Sequence, residues 1–150
     1  MTSDFDFLFG DWHVTNRRLR ERLAGSDDWE VFAATSSCRP LFGGAANLDE
    51  IELPALGVRG LTLRLFDPAR QQWRLHWTTD AVGVLFPPVT GRFSDGVGRF
   101  FGEDIEGGTP VRVRFVWDAI TPDSARWQQA FSADDGRTWE TNWVMELSRR

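Results

Sequence analysis

The sequence predicts an all-β protein: a closed antiparallel up-and-down β-barrel of about ten strands, lipocalin-like in outline, after a short N-terminal helical turn. Turn signals containing Gly, Pro and Asp recur every ~8–12 residues, which is typical of a sandwich or barrel. No stretch keeps the 3.6-residue periodicity of a long helix. Meander spacing favours the barrel, because closure removes exposed strand edges.

Length, charge and cysteine content narrow the class of protein. The 150 residues are expected to form a single domain, 1–150, that buries about 70% of its unfolded surface. A net charge of −5 argues against a nucleic-acid partner. No apolar run approaches the ~20 residues needed to cross a bilayer, and the acidic N-terminus is unlike a secretion signal. We therefore expect no membrane partner. Cys38 is the single cysteine, so we expect a reducing, cytoplasmic setting.

The elements follow from the turn signals in chain order. Residues 3–9 predict one helical turn capped by Ser3. The closing hairpin turns at Asp134-Asp135-Gly136, a residue pattern that favours tight turns. The other predicted strands are 12–22, 29–38, 47–53, 59–66, 72–79, 83–86, 91–93, 98–100 and 109–118.

In the late strands, alternation separates apolar from polar side chains. The opposite orientation would leave four or more tryptophans in water, so we expect the apolar set to face the interior. This set comprises Trp73, Leu75, Trp77, Val111, Val113, Phe115, Trp117, Trp127, Phe131, Trp139, Trp143, Met145 and Leu147.

This orientation predicts binding of a small, flat, apolar or aromatic molecule inside the barrel. Asn16, Gln129 and Thr141 share the inward phase, and a few polar groups in an aromatic cavity are typical of a ligand pocket. The alternative is a lumen filled by side chains, with no void above ~150 Å³. The predicted ligand-binding residues are Trp77, Phe115, Trp117, Trp127, Gln129 and Trp143.

The reversed phase is a second hypothesis. Arg64, His76, Arg114 and Glu140 would then face a polar lumen and serve as the catalytic set of a small barrel enzyme, an isomerase or cyclase acting on a carboxylate. The tryptophans would be covered by a second subunit in a homodimer. A third hypothesis is a structural or dimerising module that binds no ligand.

The motif Phe9-Gly10-Asp11-Trp12 resembles the first-strand signature of the calycin superfamily, which includes lipocalins, fatty-acid-binding proteins and nitrobindin-like barrels. Over its full length the chain looks most like small bacterial lipocalin-like domains of unassigned function. The resemblance implies a small apolar ligand, and that Trp12 closes one end of the barrel beneath Arg149 or Arg150. A nitrobindin-like barrel would instead bind haem through a histidine, here His13 or His76.

A second motif is similar to the Asp-box of sialidases: Ser132-x-Asp134-x-Gly136-x-Thr138-Trp139. Sialidases repeat this turn once per propeller blade, and 150 residues are too few for six blades, so we interpret it as a structural turn. The two histidines are not spaced as zinc ligands, and there is no Gly-x-Ser-x-Gly nucleophile motif. No metal site and no cofactor are expected.

Overall fold

Ten antiparallel strands form a closed barrel in the computed structural model, which describes residues 2–150. Each strand pairs with its neighbours in the chain, and β1 pairs with β10 to close the sheet. This confirms the all-β class and the up-and-down order. The strands are β1 (Gly10–Leu19), β2 (Trp29–Leu41), β3 (Ala46–Leu53), β4 (Val58–Asp67), β5 (Gln72–Thr79), β6 (Val89–Ser94), β7 (Val97–Glu106), β8 (Thr109–Asp118), β9 (Ser124–Ser132) and β10 (Glu140–Arg149).

The helical content is limited to 3₁₀ turns at Asp6–Leu8, Phe42–Gly44 and Pro54–Leu56. None of the helices within residues 2–150 is both long enough and apolar enough to span a bilayer. The predicted N-terminal turn is therefore present but shorter. The Ser3 side chain does not cap it; the Ser3 carbonyl instead accepts a hydrogen bond from the Asp6 N–H, at 3.1 Å.

The predicted strand 83–86 is wrong. This segment belongs to the loop between β5 and β6, in which the Phe86 N–H bonds back to the Trp77 carbonyl at 2.9 Å. Pro87 and Pro88 follow directly and have no N–H groups to continue a ladder. Regular pairing resumes only at Val89, where β6 begins.

The N-terminal 3₁₀ turn closes one end of the barrel. Phe5, which directly precedes this turn, is 1% exposed, and Leu8, its last residue, is 2% exposed. The Phe5 ring packs edge-on against Trp73, with centroids 4.8 Å apart, and against Phe93 at 5.0 Å. The carboxylate of Asp4 accepts a hydrogen bond from the Trp73 indole N–H at 3.0 Å. These residues plug the interior at this end.

Trp12 forms the second layer of the closed end. It is fully buried, and its indole N–H donates to the Leu8 carbonyl at 2.8 Å. The guanidinium of Arg149 lies 4.1 Å from the centroid of the Trp12 ring, within cation–π range. Of the two arginines that the calycin resemblance offered, Arg149 makes this contact.

Arg149 also ties the N-terminal segment to the last strand. Its guanidinium donates to the carbonyls of Phe7 at 2.9 Å, Phe9 at 2.8 Å and Pro122 at 3.0 Å. Gly10 must be glycine here, because its φ is 112° and a Cβ would lie 2.8 Å from Arg149 Nη1. The glycine of the first motif thus leaves room for the arginine of the last strand.

A β-bulge in β10 reverses the expected inward direction of the side chains that precede it. Thr141 lies opposite Ala130 and Trp143 opposite Gln129, which leaves Asn142 as the extra residue. Trp143, Met145 and Leu147 line the interior as predicted. The expectation that Trp139 and Thr141 share their phase is wrong, because the bulge turns both outward.

Trp139 packs on the outer surface of the sheet. The Arg114 guanidinium lies 4.6 Å from its ring centroid, and the Phe101 ring lies 6.3 Å away. The preceding turn is held by side chains: Ser132 Oγ accepts from the Gly136 N–H at 2.8 Å, and the Asp134 carboxylate accepts from the Thr138 N–H at 2.8 Å. Hydrogen bonds from Thr138 and Ser132 lower the pKa of Asp134 to about 2.

Replacing Arg149 by methionine should lower the free energy of unfolding by about 2–4 kcal/mol, because three carbonyl acceptors lose their donor and Trp12 loses its cation. Urea unfolding followed by tryptophan fluorescence measures this. The control is Arg150→Met, whose side chain is exposed and should change stability by less than about 0.5 kcal/mol. Equal stabilities of the two variants would contradict the role of Arg149.

Candidate functional site

The lumen holds two chambers that meet between aromatic side chains. The inner chamber has a volume of about 80 Å³, and the mouth chamber, at the end away from Trp12, about 430 Å³. Of these two chambers, the mouth chamber has the size of a ligand pocket. The inner chamber is smaller than the ~150 Å³ expected of a ligand void. The interior is therefore partly filled. Residues that line both chambers are Trp77, Phe115, Gln129 and Trp143.

One wall of the inner chamber is aromatic. Its rings fix one another: Phe115 and Trp127 meet edge-to-face at 5.0 Å, and Trp127 and Trp143 at 5.9 Å. Strands β8, β9 and β10 carry most of this wall, and β5 adds one tryptophan. All six predicted ligand-binding residues line the chamber: Trp77, Phe115, Trp117, Trp127, Gln129 and Trp143.

Trp77 reaches the lumen by leaning across a glycine of the neighbouring strand. A Cβ on Gly60 would lie 2.1 Å from Cη2 of the Trp77 ring and 2.9 Å from Cγ2 of Ile51. Only glycine leaves that space in β4. Gly60 thus sets the position of the one aromatic side chain that lies between the two chambers on this side of the barrel.

The polar groups on the aromatic side are held by hydrogen bonds. The Gln129 amide nitrogen donates to Asn142 Oδ1 at 2.8 Å. The Trp143 indole N–H donates to Asn16 Oδ1 at 2.9 Å, and Asn16 donates to the Phe32 carbonyl at 3.3 Å. Asn16 and Asn142, both fully buried, therefore fix the orientation of Trp143 and Gln129, respectively.

The opposite wall is polar, and the sequence reasoning missed it. It lies on β2, β3 and β4; in the ten-stranded barrel β3 lies opposite β8, and β4 lies opposite β9. Asn47 and Asp49 share their phase with the buried Ile51 and Leu53, and this alternation was the available signal. The polar residues lining the inner chamber here are Ser36, Cys38, Asp49, Thr62 and Arg64.

Arg64 is the centre of the polar wall. Its side chain is 4% exposed, and it donates to Asn47 Oδ1 at 2.9 Å and to Asp49 Oδ2 at 2.5 Å. The guanidinium also lies 5.1 Å from the centroid of Phe5 and 5.8 Å from that of Trp117. Its Nε atom is buried without a hydrogen-bond partner among the described residues. The lumen therefore contains a paired but incompletely hydrogen-bonded cation.

Cys38 adjoins this cluster but is not a nucleophile. Its Sγ lies 3.7 Å from Asn47 Oδ1, close enough for a weak hydrogen bond. Burial raises the pKa of the thiol to about 12, although nearby Arg64 opposes the shift. The reactive form of cysteine is the thiolate, which is nearly absent at neutral pH for such a group.

The proposed catalytic set of the reversed phase does not assemble. Arg64 faces the lumen, but it does so together with the tryptophans, opposite the inward Leu75. His76 follows the lumen-facing Leu75, and Arg114 precedes the lumen-facing Phe115. Because neighbouring strand residues point to opposite faces, both lie on the outer face. Glu140 sits at the rim, where it accepts a hydrogen bond from the Leu23 N–H at 2.6 Å. These four residues cannot act on one ligand.

Both histidines lie outside the lumen. His13 is exposed beside the inward Trp12, and His76 is half-buried beside the inward Leu75. Burial and the nearby Arg74 lower the pKa of His76. The haem alternative thus has no imidazole inside the barrel. Within residues 2–150, no three His, Cys, Asp or Glu side chains gather as metal ligands do.

In comparisons with known proteins, the chain matches no protein-family model and no curated protein at a significant level.

Replacing Asp49 by asparagine should destabilise the fold by about 3 kcal/mol, because buried Arg64 loses its charged partner. Urea unfolding of the variant measures the change. The control is Glu50→Gln, since Glu50 is exposed and its nearest arginine nitrogen is 3.9 Å away; its expected effect is below about 0.5 kcal/mol. If Asp49→Asn unfolds at the same urea concentration as Glu50→Gln, the buried pair is not stabilising.

Cys38 should react with iodoacetamide at pH 8 at least about 1,000-fold more slowly in the folded protein than in urea, since a pKa of about 12 leaves little thiolate. Mass spectrometry over time gives both rates. The folded thiol keeps its proton up to about pH 12, whereas the unfolded thiol loses it near about pH 8.5. The free energy of unfolding should therefore fall as the pH rises between these values. Rapid alkylation of the folded protein would contradict the burial of this thiol.

Proposed function

We propose that the barrel binds a small, flat, aromatic or apolar molecule in its lumen, with the ligand rings packed on the tryptophan wall. The observation that supports this most is that four of the six predicted residues, Trp77, Phe115, Gln129 and Trp143, line both the inner chamber and the larger mouth chamber. The mouth chamber, with a volume of about 430 Å³, is large enough to admit a ligand of two fused rings.

The two unlike walls favour a ligand with one polar edge. On one side the rings of Phe115, Trp127 and Trp143 offer apolar contact. On the other side Thr62 and Arg64 offer hydrogen-bond donors. A flat molecule between them satisfies both walls when its polar edge faces β4, and Gln129 provides a further acceptor. Purely aliphatic chains would leave the donors of the polar wall without partners.

We also propose that the chain is a lipocalin-like member of the calycin group. The closed up-and-down barrel supports this, together with the stacking of Arg149 on Trp12 at the closed end. A single buried cysteine suits a reducing compartment, which supports a cytoplasmic location. An isomerase or cyclase gains no support, since the residues of that hypothesis lie on both faces of the sheet.

Isothermal titration calorimetry with 2-naphthamide, indole and naphthalene tests the lumen site. Replacing Trp127 by leucine should weaken binding of the fused-ring ligands about tenfold, because the ligand loses one aromatic face. The matched control is Trp139→Leu. Trp139 belongs to the same hairpin but packs on the outer surface, and this variant should bind as the wild type does.

Two outcomes would refute the proposal. One is that none of the three compounds gives a heat of binding up to its solubility limit. The other is that Trp127→Leu and Trp139→Leu weaken binding equally, which would place the site away from the aromatic wall.

A further inference from the structure

Two arginines line the mouth chamber, and neither has a role in the proposed stacking of a ligand on the tryptophan wall. They are Arg18 and Arg22, whose side chains are 27% and 16% exposed. Arg18 faces inward because it continues the alternation of Trp12, Val14 and Asn16 along β1. Arg22 follows in the turn between β1 and β2.

Both cations lie over aromatic rings that line the mouth chamber. The Arg18 guanidinium carbon is 4.9 Å from the centroid of Trp143, which lines both chambers. The Arg22 guanidinium carbon is 5.9 Å from the centroid of Phe131. A ligand that stacks on Trp143 would therefore extend towards these two guanidinium groups.

The protein satisfies these arginines only in part. Arg22 donates to Glu106 Oε1 at 3.2 Å, and the nearest carboxylate oxygen to Arg18, on Glu30, is 3.6 Å away and beyond hydrogen-bond distance. The Nε atoms of both arginines are buried without partners within residues 2–150. Burial and the adjacent Arg22 lower the pKa of Arg18. Each guanidinium has five N–H donors, so several terminal donors remain for a ligand.

The ion pair of Arg22 and Glu106 crosses the mouth. It joins the β1–β2 turn to the end of β7, which is separated from β1 by three intervening strands in the sheet. The next residue, Leu23, donates its N–H to Glu140 on β10. Asp104, also on β7, is the acidic residue that lines the mouth chamber itself. An anion bound on the β1 side would therefore compete with Glu106 for Arg22.

We propose that Arg18 and Arg22 form an anion-binding subsite, and that the ligand is an aromatic carboxylate whose ring lies on the tryptophan wall, with a polar edge towards β4 and its carboxylate at the mouth. This inference rests on the proposed binding function of the lumen. The planar guanidinium matches a carboxylate in shape and charge, and it forms stronger hydrogen bonds with a carboxylate than with a neutral amide. Binding exchanges the Glu106 carboxylate for that of the ligand.

The test compares 2-naphthoate with 2-naphthamide by isothermal titration calorimetry, since the two share a ring system and nearly a shape but differ in charge. Wild-type protein should bind naphthoate about tenfold more tightly. Arg18→Gln and Arg22→Gln should each weaken naphthoate about tenfold and change naphthamide by less than about twofold. The control is Arg20→Gln, because Arg20 is exposed and pairs with Asp28 at 2.7 Å.

Two further variants keep the test decisive. Arg22→Lys retains the charge and should bind naphthoate more tightly than Arg22→Gln does. Glu106→Gln removes the competing carboxylate, so it should strengthen naphthoate binding and leave naphthamide unchanged. Circular dichroism and thermal unfolding check that each variant is folded.

Equal binding of the two compounds, or equal weakening of both by the glutamine variants, would overturn the anion subsite and leave lumen binding intact. Absence of binding by either compound to the wild type would refute both proposals.

Discussion

Closure of the barrel depends on the contact between Trp12 and Arg149. These residues lie directly opposite each other in the pairing of β1 with β10, so the contact fixes the register of the seam. A slip of one residue would turn Trp12 to the outer face and take the guanidinium away from the three carbonyls that it serves. The 3₁₀ plug is held by the same arginine. The closed end and the inward phase of both seam strands thus rest on one side chain.

The sequence predicts the aromatic wall well and the polar wall poorly. Strands β5, β8 and β9 alternate large apolar with charged residues, and their orientation follows from burial alone. In β4 the alternation is misleading, because Leu61, Leu63 and Leu65 lie on the outer face while Thr62 and Arg64 face the lumen. Buried Arg64 is stabilised by residues on β3, and a pattern within one strand cannot show a partner on another. The bulge at Asn142 is hidden for a similar reason, since it exists only relative to β9.

The polar wall gives the lumen hydrogen-bond donors that an all-aromatic core would lack. A buried ion pair such as Arg64 with Asp49 contributes little net stability, because the desolvation of both charges offsets their attraction. An apolar pair of similar size would hold the strands together about as well. The retention of charge in this position therefore fits a role in orienting a ligand, as the proposed function requires.

The exclusive use of arginine among the lumen cations affects how the barrel responds to acidity. The chain contains no lysine, and arginine side chains remain protonated in proteins. His13 and His76 both lie outside the lumen. The positive charge of the interior is thus constant between about pH 6 and 8. A ligand of this lumen would be taken up and released according to its own concentration, as in a buffering protein, and mild acidification would not discharge it.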